Sequence, residues 1–236
     1  MTHDLQKRIN NAENFSSDLV HEIRNPLTSL KSASEILSDT NNQDQRSKLI
    51  NILNHDVQRI ERLITDYSQM LKDEVALSKE KMKKINLRLI IRSVVDDYNN
   101  IYEAKRSIKI ELINEGNLNE YFIYGIENRI EQIIANLLDN SISFSKDGQK
   151  VLVQIKENQE SQIILRIIDQ GKGFKEKDTN KVFNRFYSNR PDNFGQHSGL
   201  GLNIVKNLVD LHRGTITAAN NIDKEGANIE IIFPKA

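Results

Sequence analysis

The sequence has no cysteine and no tryptophan, only three prolines among 236 residues, and no excess of either charge, with 33 basic and 33 acidic side chains. Without cysteine, disulfide scaffolds, thiol catalysis and thiolate metal sites are excluded. A general nucleic-acid binder carries a basic excess, and this chain has none. No apolar run approaches the roughly 20 residues that cross a bilayer, and the polar start Met1–Asn14 does not read as a signal peptide. Neither a His-x-x-x-His string nor a carboxylate cluster offers a metal site around His3, His55, His197 or His212. At roughly 100–200 residues per domain, the length suits one or two domains, with a real core in at least one.

What is present falls into two patterns. Over positions 3–38, Leu5, Ile9, Ala12, Ser16, Leu19, Ile23, Pro26, Leu30, Ala33 and Leu37 recur at alternating steps of four and three. That is the seam of a helix packed in a bundle. Pro26 removes a backbone donor and should kink this helix. After the polar turn Asp39–Asn42 a second stripe runs through Leu49, Leu53, Asp56, Ile60, Leu63, Tyr67 and Met70. Two long helices and a short turn make an antiparallel hairpin. A lone hairpin cannot cover its own apolar faces, so a homodimer forming a four-helix bundle is expected through this segment. The expected layout is a dimerisation domain over 1–73, a charged linker over 74–84 and a second domain over 85–236.

The second pattern mixes periods. Helices are expected over Leu87–Tyr98, Glu127–Phe144 and Leu200–Leu211. Strands are expected over Ser107–Leu112, Val151–Ile155, Ile163–Ile168, Gly214–Ala218 and Ala227–Phe233. Such a set predicts an α+β two-layer sandwich with one sheet covered by helices.

Four strings carry chemistry. In Phe15–Leu27, His21 lies between the seam residues Leu19 and Ile23 and should face solvent, with Glu22 beside it and Asn25 one turn on. A lone exposed histidine is usually an ordinary surface residue. The neighbours raise this one: neutral imidazole is a nucleophile, histidine titrates near about 6.5, and a carboxylate can orient the ring and take its proton. In Asn136-Leu137-Leu138-Asp139-Asn140 two amides share a helix face, and amide oxygens suit Mg²⁺. In Asp169-Gln170-Gly171-Lys172-Gly173-Phe174 a carboxylate ends a strand beside two glycines, an acceptor that could read the exocyclic amine of adenine, or an ordinary turn. In Gly195–Leu202 glycines open a helix, where free N–H groups and the helix dipole favour phosphate. Between these last two lies Phe174–Ser198, long and polar around an aromatic group, which suits a lid.

In this order the strings resemble the H, N, G1, F and G2 boxes of bacterial sensor histidine kinases: His21–Leu27, Asn136–Asn140, Asp169–Gly173, Phe183–Tyr187 and Gly199–Gly201. Each alone is modest, but five in sequence order are specific. The resemblance implies a dimerisation and phosphotransfer hairpin followed by an ATP-binding sandwich of the Bergerat type. It implies His21 as phosphoacceptor, Glu22 as general base and Asn25 as an aid to dephosphorylating a partner response regulator. ATP and Mg²⁺ would be the cofactors, with Asn140 on the metal and Asn136 and Ser143 near the phosphates. Asp169 would meet adenine. Gly171, Gly173, Gly199, Leu200 and Gly201 would let backbone approach the nucleotide, and Phe183, Phe186 and Tyr187 would anchor the lid. The partners implied are a second copy and a receiver domain, on the cytoplasmic side of an inner-membrane receptor whose spans lie upstream.

Two departures stand out. Ser143 occupies the place where many members carry a basic residue, and Lys146 or Arg190 is a candidate replacement. Ser141–Ser145 resembles the envelope-sensing kinases of alphaproteobacteria. The rival readings are a catalytically weak dimeric docking module, favoured by Ser143, and another Bergerat-fold ATPase, disfavoured by the His21 context.

Overall fold

The computed structural model describes the backbone of residues 2–77, 80–115, 120–187, 199–221 and 225–236, and side chains there except at 2–15, 66, 69–77 and 115. Two compact units emerge.

The first is a helical hairpin of α1 (Thr2–Asp39) and α2 (Gln43–Leu77). The chain reverses at Thr40–Asn42 because both helix ends are capped there. Asn42 Oδ1 accepts from the N–H groups of Asp44 (3.0 Å) and Gln45 (3.1 Å), closing the start of α2. Arg46 Nη1 donates to the carbonyls of Leu37 and Thr40, each at 3.1 Å, closing the end of α1. The helix runs through Pro26 without interruption. The seam positions Leu19, Ile23, Pro26, Leu30, Ala33 and Leu37 are buried or half-buried, and so are Leu49, Leu53, Asp56, Ile60, Leu63 and Tyr67. Ser16 is exposed, and Leu5, Ile9 and Ala12 lie outside the described side chains. Beside the seam, Val20, Leu27, Ile36, Val57 and Ile64 stay about half exposed. The helix α2 continues to Leu77, into the stretch expected as linker.

The second unit opens with β1 (Lys83–Asn86) and α3 (Leu87–Arg106), followed by β2 (Lys109–Glu115), β3 (Phe122–Gly125) and α4 (Glu127–Phe144). Then come β4 (Lys150–Glu157), β5 (Gln162–Ile168), a 3-10 turn (Thr179–Phe183), α5 (Gly201–Leu211), β6 (Thr215–Asn220) and β7 (Ala227–Pro234). The main sheet has the order β2-β4-β5-β7-β6, with β2 and β4 parallel and the other pairs antiparallel. Along β7 buried and half-buried residues alternate, as one covered face requires. The covering helices show the matching period: α3 buries Leu87, Ile90, Ile91, Val94 and Val95, the i, i+3, i+4, i+7, i+8 stripe. With α4 contributing Ile130, Ile133, Ile134, Leu137 and Leu138, a single core forms, each large side chain stabilising by about 1.5–3 kcal/mol relative to exposure.

The structure adds elements that the pattern did not announce. The strands β1 and β3 make a separate antiparallel pair. The helix α3 runs on past Tyr98 to Arg106, where the left-handed Ser107 (φ 50°) ends it. Arg106 then donates to the carbonyls of Ile142 (2.9 Å) and Ser145 (2.7 Å), capping the end of α4.

Candidate active site

In the hairpin, His21 is exposed on α1, as is Asn25 one turn on, while Pro26 between the two helices is buried. Glu22 is half-buried. Its Oε2 accepts from Arg59 Nη2 of α2 at 2.8 Å. This pair ties the two helices together at the level of the histidine. Arg59 escaped the sequence reading because pairs across a hairpin depend on the register that the turn sets.

In the sandwich, Asp169 sits at the end of β5 and is 3% exposed. Its Oδ1 accepts from the N–H groups of Gly171 (2.9 Å) and Ala227 (3.0 Å). Among the described residues no donor reaches Oδ2. Burial pushes the carboxyl above the ordinary range, and the two backbone donors pull it back in part. Gly171 lies against the last turn of α4: a Cβ there would fall 2.8 Å from the Phe144 carbonyl oxygen. The strand end and the N-box helix are therefore in backbone contact. Gly173 lies against the Asn220 side chain.

On α4, Asn136 and Asn140 are half-buried. Asn136 Nδ2 is buried and has no hydrogen-bond partner among the described residues. A buried donor left bare costs about 1–3 kcal/mol, so this amide is open to a group that the protein itself does not supply. Ser143, by contrast, donates its hydroxyl to the Asn140 carbonyl at 2.6 Å.

The helix α5 begins at Gly201 after Leu200, which is fully buried and offers no side-chain cap. Among the described residues a Cβ on Gly201 would meet nothing within 4 Å. Among the described residues no side chain caps the first turn of α5, which leaves its N–H groups available as an anion site requires. Gly199 has φ +74°, and a Cβ there would come 2.7 Å from the Phe186 carbonyl carbon, so a side chain is refused on both counts. Phe186, inside the stretch read as a lid, therefore lies against Gly199 just beyond the end of that stretch. Phe183 is buried, and Asn203 Nδ2 of α5 donates to its carbonyl at 2.9 Å. Tyr187 packs against the core. Arg190 and Gln196–Ser198 lie outside the described residues. A bare carboxylate oxygen, a bare amide donor and an open helix start fit a nucleotide.

A family model described as the His Kinase A (phospho-acceptor) domain matches residues 11–76. A second, described as the histidine kinase-, DNA gyrase B- and HSP90-like ATPase, matches residues 125–236. The chain is similar to the sensor protein ChvG of Agrobacterium fabrum, at 34% identity over all of this chain and 41% of that protein. It is also similar to ChvG of Rhizobium meliloti, at 35% over 96% of this chain and 40% of that protein. The chain thus spans about two fifths of the length of these relatives. Among solved structures, the histidine kinase ThkA in complex with the response regulator protein TrrA superposes with a TM-score of 0.67 at 22% identity, over 98% of this chain and 64% of that one. The Acinetobacter baumannii histidine kinase AdeS does so with a TM-score of 0.60 at 22% identity, over 91% of this chain and 97% of that one. Those two likenesses speak to the fold. Matched in tandem by a phospho-acceptor domain and a kinase-type ATPase domain, the chain belongs to the sensor histidine kinases as a catalytic core.

Proposed function

We propose that this chain uses ATP to phosphorylate His21 and then passes the phosphoryl group to an aspartate of a response regulator. The observation that carries the proposal is a single chain holding both halves of the chemistry: an exposed imidazole beside a carboxylate, and a buried Asp169 whose Oδ2 has no donor among the described residues. In this reading Asp169 accepts from the adenine amine, and its burial favours that base because an unpaired carboxylate there would be costly. Asn136 and the α5 N-terminus take phosphate oxygens, and Asn140 holds Mg²⁺, whose role when bound is to neutralise phosphate charge.

A neutral ring nitrogen of His21 forms a bond to the γ-phosphorus, the bond from that phosphorus to the bridging oxygen breaks, and ADP leaves. Glu22 accepts the proton released from the other ring nitrogen. Arg59 donates to Glu22 Oε2, and Oε1 would take up this task. Catalysis is then mainly positioning and charge neutralisation. Asn25, on the same exposed face, would orient water for dephosphorylating the regulator.

The half-exposed apolar residues flanking the seam support a homodimer through the hairpin. We assign 1–73 to dimerisation and phosphotransfer, 74–84 to a linker and 85–236 to ATP binding, in the cytoplasmic part of a membrane receptor of the ChvG-like, envelope-sensing kind.

Incubation with radiolabelled ATP and Mg²⁺, followed by acid and alkali treatment and phosphosite mapping, tests the reading. Acid-labile label confined to His21, absent from His21→Gln and transferable to a receiver domain, is the expected result. Label retained by His21→Gln, or label stable to acid, would overturn it.

A further inference from the structure

The end of β6 and the start of β7, which belong to no recognised box, hold the Asp169 loop in place. Asn220 treats Phe174 as a neighbouring strand residue would: its Oδ1 accepts from the Phe174 N–H at 2.6 Å, and its Nδ2 donates to the Phe174 carbonyl at 2.9 Å. Phe174 ends the Asp169–Phe174 loop, so both backbone groups there are fixed by one amide. Asn221 Nδ2 donates to the Asp169 carbonyl at 3.2 Å. Asn221 N–H in turn donates to the Gly226 carbonyl at 3.0 Å, closing the turn on itself. Gly226, at φ +130°, packs so closely on the Asp169 carbonyl that a Cβ would overlap it. The next residue, Ala227, exchanges backbone bonds with Asp169, donating to Oδ1 and accepting from its N–H, each at 3.0 Å. The loop is therefore gripped at its first residue by Asn221, Gly226 and Ala227, and at its last by Asn220.

We propose that Asn220 and Asn221 are positioning residues that set adenine-over-guanine selectivity by fixing where Asp169 Oδ2 points. The proposal rests on the reading of Asp169 as the adenine acceptor. A hydrogen bond that a buried carboxylate accepts from an exocyclic amine discriminates bases only while that oxygen is held within the narrow geometry of such a bond. Guanine offers a carbonyl where adenine offers the amine, so a fixed carboxylate oxygen repels it, whereas a loosened one can turn away. The Asp169 side chain is anchored to two N–H groups, both through Oδ1. One of them, Gly171, lies within the loop that the two asparagines hold.

The experiment compares binding of Mg-ADP and Mg-GDP to the full chain, by competition against a fluorescent nucleotide. The variants are Asn220→Ala, Asn220→Asp and Asn221→Ala, each with its thermal midpoint measured. Asn220→Asp keeps the acceptor for Phe174 N–H but loses the donor. Asn158→Ala is the control: Asn158 holds the β4–β5 turn at the opposite end of the sheet, accepting from Glu160 N–H (3.0 Å) and Gln162 N–H (2.8 Å). Losing one or two such bonds is expected to weaken ADP about tenfold in Asn220→Ala and somewhat less in the other two variants. GDP should move less than twofold, so the selectivity ratio narrows. Asn158→Ala should lower the midpoint and leave the ratio alone. An unchanged ratio in the folded variants, or equal weakening of both nucleotides, would overturn the proposal, and so would the same narrowing in Asn158→Ala. If Asn220→Ala does not fold, the other two variants decide. A wild-type chain that binds neither nucleotide would instead sink the ATP reading itself.

Discussion

In the sandwich, α3, α4 and the main sheet bury one continuous set of aliphatic side chains, with Leu87, Ile91, Ile130, Ile133, Ile134 and Leu138 fully inaccessible. In the hairpin, Pro26, Ala33, Asp56 and Leu63 alone are buried among the described side chains, while Val20, Leu27, Ile36, Val57 and Ile64 remain about half exposed. A two-helix hairpin has too little interior to satisfy both stripes, whereas three helices on a five-stranded sheet enclose a core without help. The difference teaches that the ATP-binding part is stable on its own terms. The hairpin leaves apolar surface that a second copy would cover under the homodimer proposed above.

The sharpest break with that comparison comes from the core. Leu138→Ala in α4 should cost about 2–5 kcal/mol and lower the sandwich transition by calorimetry, with a midpoint that does not depend on protein concentration. A concentration-dependent sandwich transition would dissolve the distinction. Next is the hairpin itself. A hundredfold dilution should destabilise its transition by about 2.7 kcal/mol if a second copy binds only the folded form. Circular dichroism across that dilution range checks it, and a stationary midpoint would make the hairpin self-sufficient.

A smaller effect separates the two parts by pH. His212 is buried, donates from Nδ1 to the Leu208 carbonyl at 2.7 Å and accepts at Nε2 from the Ile126 N–H at 3.1 Å, joining α5 to the start of α4. Burial holds its pKa below the ordinary histidine value, against the pull of the Leu208 carbonyl. The unfolded chain therefore takes up this proton first. The stability that His212 contributes is complete above about pH 6.5 and is lost as pH falls through the lower folded-state value. Sandwich unfolding followed from pH 8 to pH 5 should show that loss, and His212→Ala should flatten it. The smallest effect is Arg59→Ala. Its pair with Glu22 is partly solvated, at 14% and 25% exposure, so removal should cost about 1 kcal/mol or less. It should be felt in the hairpin transition alone.

Much of this was legible in the residues. The four-three spacing of Leu19, Ile23, Pro26, Leu30 and Ala33 located the hairpin and its inward face. The short apolar runs Val151–Ile155 and Ile163–Ile168, separated by a polar turn, located the central strands, because a run of that length bounded by turn residues suits a buried strand. The strands β1 and β3 were not legible. Each is four residues long, β1 begins with Lys83-Lys84, and their pairing joins segments far apart in sequence. The same holds at the site. Asp169 and the glycines announce themselves by type and spacing, whereas Asn220, Asn221 and Arg59 look like ordinary polar residues until the fold brings them to a partner.

The residues alone settled the order of the main helices and of the five-stranded sheet's strands, the outward imidazole and the residue types of the nucleotide pocket, since these follow from short-range periodicity and from chemistry that only a few side chains can perform. Folding settles which oxygen of Asp169 is occupied, which amide of α4 is left bare among the described residues and which asparagines brace the loop. Those facts depend on non-local register, and a one-dimensional pattern does not carry the distance between residues that meet only after folding.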